Sequence, residues 1–217
     1  MRAKTYQEDR ITLHHADCMD VMAQYPDKYF DLAVVDPPYG IGIDGRSEQI
    51  KEGQQIRKAH EFKAWDVAIP NATYFAELKR VSKDQVIWGG NYFTDHLPPV
   101  KGWIFWYKAQ QGLTMSDGEM AWTSTKSVTR MVTMHRTHIW KEKPQHPTQK
   151  PVKLYDWIYA NYAKPGMKII DTHLGSGSNA IAAHYAGMEF VGCELDADYY
   201  EAACKRVYHE TRQQELF

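Results

Sequence analysis

Met167-Lys168-Ile169-Ile170-Asp171-Thr172-His173-Leu174-Gly175-Ser176-Gly177-Ser178-Asn179-Ala180 is the stretch on which the reading of this chain turns. Residues 167–170 read as a strand, the Gly-Ser-Gly run as a tight turn, and the residues through Tyr185 as a helix. Gly187-Met188 then leads into Glu189-Phe190-Val191-Gly192-Cys193-Glu194, a second strand, and residues 197–207 read as the next helix. The result is a βαβ unit with a G-x-G-x-x-A turn and an acid, Glu194, 19 positions beyond Gly175. Glycines let backbone approach a ligand, a helix N-terminus favours its negative end, and the acid bonds ribose hydroxyls. That pattern serves NAD and S-adenosylmethionine equally and does not choose between them.

Working outward, the second informative stretch is Asp36-Pro37-Pro38-Tyr39, at the end of the apolar run Phe30-Asp31-Leu32-Ala33-Val34-Val35. The run reads as a buried strand, which the two prolines stop by removing two backbone donors and stiffening the turn. A carboxylate, free carbonyls and an aromatic ring are thereby placed at a strand's C-terminal edge, where open α/β sheets bind ligands. An exocyclic amine on a nucleobase is a poor nucleophile because its lone pair is delocalised into the ring. Asp36 and the Pro37 carbonyl could accept its two N–H bonds and localise that pair, while Tyr39 stacks on the base, a contact contributing roughly 1–3 kcal/mol. A strand end followed by a Pro-rich turn is the plainer reading of the same four residues.

At 217 residues the chain is expected to be a single domain, residues 1–217, with a substantial core. It has no run of 18 apolar residues and no signal-peptide pattern, so a soluble, cytoplasmic protein without membrane contact is expected. The three cysteines, Cys18, Cys193 and Cys204, lack C-x-x-C spacing, and the ten histidines are scattered, so neither a disulfide framework nor a metal site is expected. The net charge of −1 carries no global sign of nucleic-acid binding. Its distribution is uneven: residues 126–168 hold nine Lys/Arg, Lys141 and Lys143 among them, against two acids. A patch of this kind could track phosphates, or be a solvated surface.

In chain order, residues 10–15 read as a strand and 19–24 as a short helix broken at Tyr25-Pro26-Asp27. Residues 40–66 are polar and weakly periodic, and a loop of that length beside Tyr39 is expected to be a mobile lid. Residues 71–81 have helical spacing, 85–88 read as a buried strand, and 103–107, 119–123 and 128–134 as antiparallel additions to a mostly parallel sheet. Residues 151–162 read as a helix opened by Pro151 at its first position.

Taken together, these motifs resemble the β-type, permuted amino-methyltransferases of DNA, the adenine-N6/cytosine-N4 family of bacteria and phages that includes restriction–modification enzymes. That family places D-P-P-Y early and the glycine turn late, with a T-x-K-P segment before the turn. His146-Pro147-Thr148-Gln149-Lys150-Pro151 matches the last signature, and the resemblance runs from Leu13 to Arg206. It implies an α/β fold: a Rossmann-like, circularly permuted, S-adenosylmethionine-dependent methyltransferase fold. The residue 194 strand and its helix would run directly into the residue 10 strand had the chain been cut elsewhere.

The resemblance also implies roles. Asp36, Pro37, Pro38 and Tyr39 would hold the target base. Asp171, Gly175 and Gly177 would line the methionine part of the cofactor, Glu194 its ribose, Asp17 its adenine, and Lys150 would contact it from the helix start. Cys18, Asp36, Thr148, Pro151, His173, Leu174, Ser176 and Leu195 complete the cofactor set. The expected partner is DNA; Lys141 and Lys143, taken from the basic segment and not from the resemblance, are the candidate phosphate contacts, and a homodimer is a further expectation. Where the family has D-P-F before its glycines, Thr172 and His173 stand here, removing an aromatic wall. With no large insert, only residues 40–66 and 110–145 are left to read sequence.

The implied reaction is methyl transfer from S-adenosylmethionine to adenine N6 of a flipped base. D-P-P-Y leans toward adenine, since cytosine-N4 relatives more often carry Ser first; cytosine N4 remains the alternative. Cytosine carbon methylation needs a Cys nucleophile after Pro, and no cysteine follows one. An NAD oxidoreductase leaves Asp36–Tyr39 and Thr148–Pro151 unexplained. A catalytically weak nucleic-acid-binding relative is the third reading.

Overall fold

The computed structural model describes residues 4–42, 49–51, 54–57, 66–111, 116–135 and 148–212, with 49–51 and 54–57 as backbone only. Five parallel strands form its centre. They are β2 (Ile11–His15), β3 (Phe30–Val35), β6 (Ser82–Trp88), β10 (Lys168–Asp171) and β11 (Glu189–Glu194), in the order β2-β11-β10-β3-β6. β1 (Lys4–Glu8) adds antiparallel to β2. Beyond β6 come β8 (Gly118–Thr123), β7 (Trp103–Tyr107) and β9 (Arg130–Thr133).

The antiparallel pieces expected from the sequence are β8, which opposes both β6 and β7. β9, expected to be antiparallel as well, pairs parallel to β7. Such a pairing needs a crossover between the two strands, and residues 108–129, including β8, supply it.

Helices cover both faces, which is why β3 and β10, in the middle of the sheet, are buried almost throughout rather than alternating. On one face α3 (Val152–Tyr162), α4 (Ser178–Tyr185) and α5 (Ala197–Arg212) bury Leu154, Ile158, Ala182 and Val207 against Leu32, Val34 and Ile169. On the other, α1 (Cys18–Met22) and α2 (Ala72–Val81) bring Met22, Phe75 and Leu78 onto Ala33, Val35 and Ile87. Asp17 and Asn71 start these two helices by accepting the backbone N–H of Met19 and Tyr74 at 2.7 and 3.0 Å.

Several boundaries differ from the sequence reading, for identifiable reasons. β1 has no apolar alternation because it is an exposed edge. β6 begins at Ser82 rather than 85, because α2 runs straight into it and Ser82 Oγ bonds back to the Leu78 carbonyl at 2.5 Å. Pro151 is the extended residue before α3, at ψ 146°, not its first helical position. The segment 40–66 is not loop throughout: β4 (Gln49–Lys51) and β5 (Gln54–Arg57) pair as a short antiparallel hairpin. Lys141 and Lys143 lie outside the described residues.

The permuted order is visible directly. β11 pairs with β2, and α5 returns beside the first strand, where Arg212 Nε meets Glu8 Oε1 at 2.6 Å.

Candidate active site

The C-terminal ends of β2, β3, β10 and β11 open onto one cleft of about 550 Å³. Asp17 and Cys18 reach it from the end of β2, Asp36 and Pro38 from β3, and Thr148 and Lys150 from the approach to α3. His173, Leu174, Gly175 and Ser176 line it from the glycine turn, and Glu194 and Leu195 from β11. These twelve residues, all named from the sequence, converge from five separate places in the chain. Pro37, Tyr39, Pro151, Asp171 and Gly177 do not line the cleft.

Asp171 lies behind the turn. It is 2% exposed; Oδ1 accepts the His173 N–H at 3.0 Å and Oδ2 the Asn179 amide at 2.8 Å. Burial pushes its carboxyl up to about 7 despite those bonds. Gly177, at φ +77°, starts α4 in a left-handed conformation that a side chain would resist.

Glu194 holds the turn from the other side. Oε2 accepts the Gly175 N–H at 2.9 Å and Oε1 the Asp196 N–H at 3.0 Å. Burial raises its pKa, with these bonds opposing. The remaining lone pairs of that carboxylate are its means of accepting hydroxyls from a ligand.

His173 occupies the family's usual Phe position without leaving a gap. Its ring meets Tyr74 edge-on at 5.4 Å between centroids, and Nδ1 lies 3.0 Å from Thr172 Oγ1, which is 2.6 Å from the Tyr74 hydroxyl. Burial pushes the imidazole down to about 4, so it is a neutral ring at neutral pH. The aromatic wall is therefore kept, built from an imidazole and a tyrosine. Tyr74 was read in the sequence only as helical spacing; nothing in that pattern marks it as a cleft residue.

Asp36 is the most constrained group. The Tyr39 hydroxyl donates to Oδ1 at 2.6 Å, and Lys150 Nζ donates to Oδ2 at 2.5 Å and to Tyr39 Oη at 3.2 Å. Burial raises the Asp36 pKa, with Lys150 opposing, and burial beside Asp36 holds the Tyr39 phenol well above its ordinary value. Burial would lower the Lys150 pKa, but Asp36 and Glu119 outweigh it and the net shift is upward.

The Tyr39 ring stacks on Tyr92 at 5.0 Å and 16°, and Gly89 lies so close that a β-carbon there would be 2.1 Å from it. Asp66 Oδ1 accepts the N–H groups of Tyr39 and Gly40, both at 2.8 Å, tying the far end of segment 40–66 to the D-P-P-Y turn. Glu119, Tyr92 and Asp66 carry no sequence signal, because each reaches the site from a separate element through tertiary packing alone.

A parallel sheet with a glycine turn, an acid on the next strand and a carboxylate-bearing D-P-P-Y turn at one cleft defines a Rossmann-like transferase site. Residues 82–205, more than half of the chain, match the family model described as DNA methylase, and the chain belongs to that family.

Among similar proteins is the type II methyltransferase M2.MboI of Moraxella bovis, 24% identical over 257 aligned positions, covering 97% of this chain and 93% of the relative. Another is the type II methyltransferase M2.DpnII of Streptococcus pneumoniae, 24% identical over 256, covering 94% and 92%. Among solved structures, the M1.HpyAVI–SAM complex superposes with a TM-score of 0.61 at 18% identity, covering 91% of this chain and 98% of that one. The cytosine-N4-specific PvuII DNA methyltransferase does so with a TM-score of 0.63 at 11% identity, covering 98% and 89%. These last two establish the likeness of fold.

Proposed function

We propose that the protein methylates adenine N6 in DNA, using S-adenosylmethionine, with Asp36 as the residue that engages the target amine. The observation that carries this reading is Asp36 opening onto the same cleft as the Gly175 turn and Glu194.

The donor set fits a cation better than a dinucleotide. Asp17 and Glu194 face the cleft while Asp36 takes up the Lys150 charge, a balance suited to a sulfonium and an amino acid ammonium. A pyrophosphate would need free backbone N–H groups at the turn. Here the Gly175 N–H is given to Glu194 and the Gly177 N–H to the Leu174 carbonyl. When bound, S-adenosylmethionine would supply the electrophilic methyl group. Glu194 would hold its ribose, His173 and Tyr74 would wall it, and Asp17 would lie toward its adenine.

Asp36 accepts an N–H of the amine, localises the nitrogen lone pair and stabilises the positive charge that develops there. Adenine rather than cytosine is favoured by Asp at the first position of Asp36-Pro37-Pro38-Tyr39. Lys141 and Lys143 are assigned to the DNA backbone on their place in the basic segment 126–168. The deciding experiment is incubation with DNA and methyl-labelled S-adenosylmethionine, followed by nucleoside mass spectrometry. N6-methyladenine is expected; N4-methylcytosine would reassign the base, and no labelled nucleoside would remove the reading.

A further inference from the structure

Both oxygens of Asp36 are engaged by the protein itself, Oδ1 by Tyr39 and Oδ2 by Lys150. Lys150 cannot retreat into solvent, since its side chain is 2% exposed. A buried ammonium has to be paired. Its second partner is Glu119 on β8, with Oε2 3.1 Å from Nζ. Glu119 is itself fixed from behind, where Lys108 Nζ meets Oε1 at 2.5 Å and rests 4.9 Å from the Trp106 ring. Two ammonium and two carboxylate groups thus alternate from Lys108 through Glu119 and Lys150 to Asp36, beside the Trp88 ring 5.2 Å from Lys150.

We propose that Glu119 is a positioning residue for Asp36: it gives the Lys150 ammonium a standing partner, so that an incoming base amine can take Asp36 Oδ2 without stranding a buried cation. The proposal rests on the methyltransferase reading of Asp36. With Glu119 present, one ammonium is shared by two carboxylates, and Asp36 keeps negative potential for a nitrogen that is becoming positive. With Glu119 neutral, Lys150 would keep Asp36 as its one carboxylate among the described residues and would compete with the amine for it.

The groups facing Asp36 are consistent with this role. Tyr39 on its own turn and Tyr155 on α3 are held neutral by burial, and Asp171 at the end of β10 is pushed up to about 7. Burial would raise Glu119, but Lys150 and Lys108 hold it at about 2, so its charge is constant over the working range.

The test is Glu119→Gln, which keeps shape and removes charge, read in two ways. The first needs no catalysis: in protein labelled with carboxyl-¹³C aspartate, the Asp36 resonance is assigned by its loss in Asp36→Asn and titrated. Glu119→Gln is expected to lower the Asp36 midpoint by about one pH unit, as a like charge leaves and Lys150 tightens. Glu119→Asp is expected to return it toward wild type. An unmoved midpoint overturns the proposal.

The second readout is single-turnover methylation. Glu119→Gln is expected to slow methyl transfer by roughly tenfold or more, with S-adenosylmethionine affinity unchanged and the acid limb moved the same way as the midpoint. A wild-type rate and acid limb overturn the proposal. If wild-type protein transfers no methyl group while the midpoint still moves, the methyltransferase reading fails and the coupling of Asp36, Lys150 and Glu119 stands. Should Glu119→Gln not fold by circular dichroism, Lys108→Met is titrated instead. Freed from Lys108, Glu119 would draw Lys150 away, and the Asp36 midpoint should rise; a fixed midpoint overturns the proposal equally.

Discussion

At the scale of single residues, His173 turns an acid environment into a stability cost. Its folded value is about 4 against an ordinary 6.5, so the unfolded chain binds a proton that the folded ring refuses between those limits. Stability from the neutral ring is therefore complete above 6.5 and lost as pH falls toward 4. Asp171, raised to about 7, acts in the opposite sense: its contribution is present at low pH and lost as pH rises through that value. The two partly cancel in wild type, and a variant separates them. Moving from pH 8 to pH 5, His173→Phe should gain about 2 kcal/mol relative to wild type. Thermal melts of both proteins at both pH values measure this, and parallel curves would contradict it. Asp36 makes a different prediction. An interaction made mainly in the transition state changes rate rather than ground-state affinity. Asp36→Ala should abolish turnover with S-adenosylmethionine affinity largely intact, and Asp36→Asn should retain more activity than Ala and far less than wild type. Full turnover in Asp36→Ala would contradict the role given to it.

At the scale of elements, the position of Tyr39 is decided by the end of a different strand. Gly89 follows β6 at φ +70°, and a β-carbon there would meet the Tyr39 Cε1 at 2.1 Å. Gly89→Ala must therefore move either the turn after β6 or the Tyr39 ring, in addition to a backbone strain of order 1–3 kcal/mol. The expected outcome is a lowered melting temperature and lost turnover, while calorimetry still shows S-adenosylmethionine binding. Wild-type turnover would mean that Tyr39 need not stay where Gly89 allows it. β8 is the other element with a local consequence. It carries Glu119 to the site only because β6, β8 and β7 are paired antiparallel, which fixes the register Trp106 to Glu119.

At the scale of the whole molecule, the chain order and the sheet order are independent. β2 and β11 are neighbours although one opens the parallel sheet in sequence and the other closes it. Lys4, 3.3 Å from Glu201, and Arg212, beside Glu8, lay α5 alongside β1, so the two described ends flank the same edge of the sheet about one strand length apart. A permuted protein in which a linker of about eight residues, long enough to run back along β1, joins residue 212 to residue 4, with new ends opened between 112 and 115, should fold and bind S-adenosylmethionine. Failure of that protein to fold would mean that the order of synthesis matters here beyond geometry. For DNA binding, Lys141→Ala and Lys143→Ala should weaken all sequences alike. Each should reduce the salt slope by about 0.9 if it removes one phosphate contact. An unchanged slope would assign both lysines to solvated surface.

The βαβ closing unit, the buried β3 strand and the D-P-P-Y turn were legible because each is local. Apolar runs set strands, prolines and glycines set turns, and the spacing from Gly175 to Glu194 spans a single βαβ unit. The same locality explains why twelve of the predicted residues line one cleft: residues at the C-terminal ends of parallel strands share an edge by construction. What tertiary structure alone decided was which groups touch. Asp171 turned behind the glycine turn because Asn179 and the His173 N–H lie there to bond it. Tyr39 received Tyr92 as a stacking neighbour and Gly89 as a wall. Glu119 came to Lys150 across 31 residues of sequence that carry no signal of the meeting. Contacts of that kind depend on sheet order and register, which no local pattern of side chains encodes.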